Sequence, residues 1–286
     1  MKFVAIDWGT SSFRAWLIEH DQIVAEIETD QGVKNFPQGE HAVYLQEVLL
    51  DWHGKFKFVI AIGMIGSSIG LYETEFSELP INLDGVFKSL IKVPAAKTNL
   101  FIVPGVQKSG DVMRGEESQS LAANIENGVV VLPGTHSKWV KIVNGEIVDF
   151  KTYFTGELFE IIRNHSTLSK ATDSSAQLTG SADFYEGLDA DSENLTHDLF
   201  TIRANWLQGM SQESSREYLS GLLIGAEAKS ARTWSSASEV TLIASDALSN
   251  IYSKALAHFG IKSNLQNKAA LIGYFSAIAK RVEAQQ

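Results

Sequence analysis

Residues 2–16, KFVAIDWGTSSFRAW, decide how the rest of the chain is read. The stretch opens on an apolar, β-prone run, Phe3-Val4-Ala5-Ile6. It closes on a second run, residues 13–18, in which Phe13, Ala15 and Leu17 alternate with Arg14, Trp16 and Ile18. Two such runs joined by a short glycine-bearing loop predict a β-hairpin. The loop is Asp7-Trp8-Gly9-Thr10-Ser11-Ser12. Gly9 lets the backbone approach a ligand closely. Thr10, Ser11 and Ser12 add hydroxyls, and consecutive N–H groups in such a turn can form an anion-binding concavity. Asp7, at the strand end, would repel a phosphate unless a divalent cation lay between them. The loop therefore carries the parts of a site for a metal-bound nucleotide. Asp, Gly, Ser and Thr are also the common turn formers, so an ordinary hairpin turn is the competing reading, and this loop alone does not separate the two.

The totals narrow the classes. A chain of 286 residues exceeds what one compact core usually holds, so two domains are expected. A net charge of −10 argues against a nucleic-acid partner, and an anionic small ligand then needs locally concentrated donors. The absence of cysteine removes disulfides, thiolate metal sites and cysteine nucleophiles, and it suits a reducing compartment. The first apolar run is short and followed by Asp7, unlike a signal peptide. No apolar stretch nears the ~18 residues of a membrane span. The chain reads as a soluble cytoplasmic protein without a membrane partner.

Downstream, residues 22–29 (QIVAEIET) alternate as a third strand, residues 41–52 carry helical spacing, and residues 57–62 (KFVIAI) predict a buried strand. Gly63-Met64-Ile65-Gly66-Ser67-Ser68-Ile69-Gly70 follows that strand, a glycine-rich loop where backbone comes close to something. Gly66, Ser67 and Ser68 are its candidate substrate contacts. Gly66-x-Ser68-x-Gly70 also matches a hydrolase nucleophile elbow, but residues 71–80 lack the helix which that geometry needs. After a strand at 99–103 and a polar loop at 107–111, Arg114, Glu116 and Glu117 lead into a helix at 118–125. Paired carboxylates there can simply complement the helix dipole. A glutamate at such a place is also suited to act as general base, and Arg114 to hold an anionic group.

A second apolar strand, residues 128–132, runs into Pro133-Gly134-Thr135-His136-Ser137-Lys138. An amphipathic strand, an Asn144-Gly145 turn and a third strand at 146–154 follow. This repeats the opening order, with Gly134-Thr135 in the place of Gly9-Thr10. Two such loops, one per domain, would grip a polyphosphate from both sides. Thr155 reads as an N-cap or a ligand contact before a helix at 158–164. Residues 166–192 read as a helix–loop insert, 214–234 as a long helix with small residues, 240–244 as the final buried strand and 269–283 as a closing helix. Ser245-Asp246, where that last strand turns into a helix at 249–259, could hold an adenosine moiety.

Taken together, these segments resemble the actin/hexokinase/Hsp70 superfamily. Asp7-x-Gly9-Thr10-x-x-x-Arg14 is similar to its first phosphate loop, and residues 132–138 (LPGTHSK) to its second. More narrowly, AIDWGTSSFRAW, GMIGSS, VMRGEESQ, LPGTHSKWV, TGEL, RNHS and LSGLLIGAE resemble the 2-dehydro-3-deoxygalactonokinase family from one end of the chain to the other. The second loop departs by lacking an acidic residue, and the adenosine turn by lacking paired glycines. The resemblance implies an α/β fold of two ribonuclease-H-like domains, residues 1–126 and 127–286, with ATP and Mg²⁺ in the interdomain cleft. The closing helix would pack back on the first domain, and domain closure would exclude water. It implies phosphoryl transfer to the terminal hydroxyl of 2-dehydro-3-deoxy-D-galactonate. Asp7 would hold Mg²⁺ largely through water. Gly9, Thr10, Ser11, Ser12, Gly134, Thr135, His136 and Ser137 would bind phosphates, with Ser245 and Asp246 near the adenosine. Arg14 and Lys138 would stabilise developing charge, or one would hold the substrate carboxylate. Glu116 or Glu117 would be the base, with Arg114, Thr155 and Glu157 near the substrate. A kinase for another small sugar acid and an ATP-gated binding protein are the alternatives. A homodimer is compatible with the sequence.

Overall fold

The computed structural model describes residues 1–94, 98–267 and 269–285. The chain divides into two compact units, residues 1–127 with 142–149 and 267–286, and residues 128–141 with 150–266. Each is built on its own sheet.

In the first unit, β1 (Lys2–Trp8), β2 (Phe13–Glu19) and β3 (Gln22–Thr29) form an antiparallel meander. Helix α1 (His41–Val48) carries the chain to β4 (Val59–Gly63), which lies parallel to β1. Parallel neighbours need such a crossover. Then come β5 (Ser77–Glu78), α2 (Leu83–Ser89), β6 (Ile91–Lys92), β7 (Leu100–Ile102), β8 (Val106–Lys108), β9 (Asp111–Met113) and α3 (Glu116–Ala122). The main sheet runs β3-β2-β1-β4-β7-β6, with β7 parallel to β4. Alternation along β1 decides its two faces. Val4, Ile6 and Trp8 pack with Leu45 and Leu49 around α1 in one core cluster. Phe3, Ala5 and Asp7 point to the opposite face.

The second unit is built on the same plan. Its sheet runs β12 (Glu146–Tyr153), β11 (Ser137–Val143), β10 (Asn127–Leu132), β13 (Glu239–Leu242), β14 (Lys262–Leu265), with β10, β13 and β14 parallel. Strand for strand this is β3-β2-β1-β4-β7 again, so the repeat read from the two glycine loops is a repeat of topology. Asn144 and Gly145 both take positive φ, 52° and 73°, the left-handed pair that a two-residue hairpin turn requires. Helices α4 (Thr155–His165), α5 (Ala182–Asp189), α6 (Leu195–Leu207), α7 (Gln212–Ser235) and α8 (Asp246–His258) complete the unit. The small residues of α7 admit α5 closely: a Cβ on Gly221 would lie 2.0 Å from the Phe184 carbonyl oxygen. The closing helix α9 (Ala269–Ala284) belongs to the first unit.

Several expectations are corrected. The polar loop at 107–111 is the β8–β9 hairpin, turning at Gly110 with φ 77°. Strands of three residues carry too little alternation to be read. The strand expected at 240–244 is β13, the last with a buried face, and the reading missed β14, which follows as a mostly exposed edge strand, KSNL, without an apolar run. The helix at 41–52 stops at Val48 and continues as a 3₁₀ turn, Leu50–Trp52. Among the described residues, no helix is long and apolar enough to cross a membrane.

Candidate active site

In the first unit the C-terminal ends of β1 and β4 lie side by side, with Asp7 opposite Ile62 and Trp8 opposite Gly63. Ligands of open α/β sheets bind at this edge. Trp8 and Phe13, both fully buried and edge-to-face at 5.2 Å, anchor the two ends of the 9–12 loop. Trp8 Nε1 donates to the Gln31 carbonyl at 2.9 Å. Thr10 and Ser11 are exposed at the tip. Gly63 has φ 89°, and a Cβ there would lie 2.7 Å from the Trp8 carbonyl oxygen, so only glycine lets β4 end against β1.

Asp7 sits on the sheet face opposite the Trp8 core, half-buried. Gln119 Nε2 on α3 donates to its Oδ2 at 3.4 Å. Burial raises the Asp7 pKa and the neighbouring Glu116 adds to this, while Arg14, its cross-strand partner, and Gln119 lower it. Arg14 also pairs with Glu28 at 3.4 Å.

Helix α3 begins on the two glutamates, and their surroundings differ. Glu116 is half-buried, with Oε2 accepting from the Arg114 backbone N–H at 3.0 Å. Glu117 is fully buried: its carboxylate accepts from the Gly115 N–H at 2.6 Å and Ser118 Oγ at 2.9 Å, and Tyr274 on α9 donates to that Ser118 Oγ at 3.0 Å. Burial, then the Glu116 charge, push the Glu117 carboxyl up to about 7. The consequence for stability has a definite sign. Below the ordinary carboxyl pKa of 4.5 both folded and unfolded chains carry this proton, and between there and 7 the unfolded chain ionises first. Stability should therefore fall as pH rises through that window, by up to about 3 kcal/mol from this group. Glu117→Gln mimics the protonated form and should escape that loss as pH rises from 4.5 to about 7 in denaturant titrations. Parallel pH curves for the two proteins would contradict this.

Arg114 is fixed from three sides. Nη1 donates to Thr74 Oγ1 at 2.7 Å, Nη2 to the Thr74 carbonyl at 3.1 Å, and the guanidinium lies 4.2 Å over the Phe76 ring. Gly66 makes room for it: a Cβ there would lie 3.0 Å from Nη1. The nucleophile-elbow reading fails here. A 3₁₀ turn, Met64–Gly66, separates β4 from Ser68, no helix follows until α2, and Ser67 Oγ donates to the Met64 carbonyl at 2.7 Å.

In the second unit the Gly134-Thr135-His136 loop leaves β10 at the corresponding edge, with Thr135 and His136 exposed. Both glycine loops are seated in the same way. A Cβ on Gly32 would lie 2.2 Å from the Thr10 carbonyl oxygen, and one on Gly156 would lie 2.2 Å from that of Gly134. Each of these glycines stands three residues past its unit's third strand, which ends at Thr29 or Tyr153. The loop carbonyls are turned toward that segment. Gly9 O accepts from Val33 N at 3.0 Å, Thr10 O from Lys34 N at 3.3 Å, and Thr135 O from Glu157 N at 2.9 Å. Among the described residues, no protein group accepts from the backbone N–H of Thr10, Ser11 or Thr135. Carbonyls tied back and N–H groups left outward is what an anion-binding turn requires.

The remaining expected residues fall in varied places. Ser137 and Thr155 are buried and give their hydroxyls to Glu227, so those side chains are not ligand contacts as placed; Thr155 is the first residue of α4, after its N-cap Phe154. Lys138 is buried, and its ammonium donates to the His136 carbonyl at 3.2 Å, supporting the loop from beneath. Glu157 lies 2.5 Å from His136 Nε2, and that ring stacks on Phe154 at 5.3 Å. Ser245 is the N-cap of α8 and Asp246 its first residue, both exposed at the end of β13. Gln119, Thr74, Phe76 and Glu227 were not anticipated. Gly32 and Gly156 were not anticipated as loop supports either, although their matching spacing after the third strand was a usable signal.

The fold is that of the actin-like ATPases. The activator of 2-hydroxyisocaproyl-CoA dehydratase from Clostridium difficile, solved with bound ADPNP, superposes with a TM-score of 0.52 over 100% of this chain and 97% of its own, at 12% identity. A crystal structure from Sinorhizobium meliloti, of a protein provisionally named a 2-dehydro-3-deoxygalactonokinase, superposes with a TM-score of 0.89 at 32% identity, covering 98% of this chain and 99% of that one. The 2-dehydro-3-deoxygalactonokinase of Escherichia coli (strain K12) is 34% identical over 270 residues, 91% of this chain and 90% of that protein. The model of the 2-keto-3-deoxy-galactonokinase family matches residues 7–277, and the chain belongs to that family.

Proposed function

We propose that this chain is an ATP-dependent sugar-acid kinase that transfers the γ-phosphoryl group of ATP to the terminal hydroxyl of 2-dehydro-3-deoxy-D-galactonate. Family membership supports the reaction class. The single structural observation that carries the reading is the pair of glycine loops with carbonyls tied back and N–H groups outward. Phosphoryl transfer asks little covalent chemistry of the protein; positioning and charge stabilisation dominate.

The N–H groups of residues 10–12 and 134–136 hold the ATP phosphates, while the Gly9 N–H closes the first turn on the Ser12 carbonyl at 2.9 Å. Asp7 would hold Mg²⁺ largely through water. The fit is good: it offers a hard carboxylate oxygen at the strand end, held by the Gln119 amide, beside a second carboxylate, Glu116. Among the described residues, no cluster of three or more His, Asp or Glu side chains could enclose a metal by itself. Mg²⁺ is a hard cation that takes oxygen ligands. When bound, it neutralises phosphate charge. Glu116 takes the proton of the attacking hydroxyl, being the less buried glutamate of the pair. Arg114, held flat by Thr74 and Phe76, presents its remaining N–H groups to the substrate carboxylate. Arg14 and Lys138 act on phosphate charge, Lys138 through the loop it supports.

Two experiments test this. ADP release should be stimulated by 2-dehydro-3-deoxy-D-galactonate and much less by the same chain with its carboxylate reduced to an alcohol; equal stimulation by both would remove the Arg114 assignment. Thr74→Val deletes the Oγ1 acceptor but keeps the shape, and should raise KM for the sugar acid by about tenfold while leaving KM for ATP within about twofold. A Thr74→Val enzyme with wild-type KM for the acid would show that Arg114 needs no such support.

A further inference from the structure

Glu227 lies on α7, 3% exposed. Its Oε1 accepts from Ser137 Oγ at 2.6 Å and from Trp139 Nε1 at 2.9 Å; its Oε2 accepts from Thr155 Oγ1 at 2.5 Å and from Tyr252 OH at 2.9 Å. These four donors come from β11, from the first residue of α4 and from α8. Two of them bracket the second glycine loop. Ser137 is the residue that ends it, and Thr155 immediately precedes Gly156, the bare Cα on which the Gly134 carbonyl rests. A single carboxylate thus ties the strand leaving the loop to the helix start that clamps it.

We propose that Glu227 is the positioning residue of the second phosphate loop, fixing the 134–137 backbone so that its N–H groups meet ATP, without touching the nucleotide itself. The inference rests on the phosphate-binding reading of that loop. The geometry favours this role over plain core filling. A leucine of similar size would fill α7 at lower desolvation cost, whereas a buried carboxylate is tolerated only where donors converge on it. Trp139 Nε1 can only donate, so the site is built around an acceptor. An amide in its place must turn its NH₂ toward Thr155 and Tyr252, reversing the hydrogen bond that holds the start of α4.

The test is ATP affinity, measured by calorimetry and as KM, in wild type, Glu227→Gln and Tyr252→Phe, with folding checked by circular dichroism. Tyr252→Phe deletes one of the four donors and keeps the fold testable if Glu227→Gln does not fold. Expected are a roughly tenfold weaker ATP affinity for Glu227→Gln and roughly threefold for Tyr252→Phe, with KM for the sugar acid within about twofold of wild type. Wild-type ATP affinity in a folded Glu227→Gln, or in Tyr252→Phe alone should the first variant not fold, would overturn the inference. So would equal increases in KM for both substrates, the signature of a general structural role. Failure of wild type to bind ATP would overturn the phosphate-loop reading itself, and is seen before any variant is compared.

Discussion

Glu116→Gln is expected to lower kcat by about 10²–10⁴-fold while leaving the fold and ATP affinity in place, the range over which a positioned general base acts. The reason lies in how α3 starts. Gly115, with φ 107°, stands 3.1 Å (measured from its would-be Cβ) from the Gly63 Cα at the end of β4, which sets the first turn of α3 at the sheet edge. Glu116 there is half-buried, and its charge is felt by Asp7. Glu117 points inward and is closed in by Gly115 N, Ser118 Oγ and, behind them, Tyr274. A carboxylate so enclosed cannot reach a substrate hydroxyl without unmaking that chain. Glu117→Gln should therefore cost much less kcat than Glu116→Gln, its main effect being on the pH dependence of stability. Coupled measurement of ADP release across pH compares the two; a larger loss in Glu117→Gln would reverse the assignment.

Gly156→Ala should reduce kcat/KM for ATP by about 10²-fold, and Gly32→Ala should do the same through the other loop. Neither residue has a side chain to contact a ligand. The added methyl would lie 2.2 Å from a loop carbonyl oxygen in each case, far inside van der Waals contact. Relief requires the loop to move by an ångström or more, and misplacement on that scale in a reacting geometry carries such a loss. Overpacking of this kind also destabilises, typically by about 1–3 kcal/mol. Thermal melts with and without ATP separate the two effects: the stabilisation conferred by ATP should shrink along with the melting temperature. A variant as responsive to ATP as wild type would show that the loops accommodate the methyl and that the glycines serve packing alone.

What could be read from sequence was local. The apolar run of residues 3–6, the alternation of 13–18, the Asn144-Gly145 turn and the recurrence of a Gly-Thr loop after an apolar strand point to the meander and its repeat, since each depends on neighbours within a few positions. The short strands β6, β8 and β9 escape the reading because two or three residues of strand hold no period, and β14 because an exposed edge strand lacks an apolar run. The site was half legible for a related reason. Asp7, Gly9 and Gly134-Thr135 announce themselves by residue type at a strand end. Thr74 reaches Arg114 from 40 residues away, and nothing in LYETEF marks one threonine as an acceptor for a guanidinium. Ser137 reads as a phosphate contact because a hydroxyl in a glycine loop suits phosphate, and Thr155 as an N-cap or a substrate contact. In the fold they serve Glu227, whose burial on α7 is decided by α4, α8 and β11 and by nothing near it in sequence. The choice between Glu116 and Glu117 likewise turns on which one α9 covers.

Phosphoryl transfer by this chain is directed to a sugar acid. It is tested most directly by following ADP release from ATP and Mg²⁺ with and without 2-dehydro-3-deoxy-D-galactonate, and assaying the product for a phosphate monoester at the terminal carbon. ADP and the terminal phosphate ester are expected in equal amounts, with little ADP when the sugar acid is omitted. ADP release at the same rate with and without the acid, and no phosphorylated acid, would contradict it.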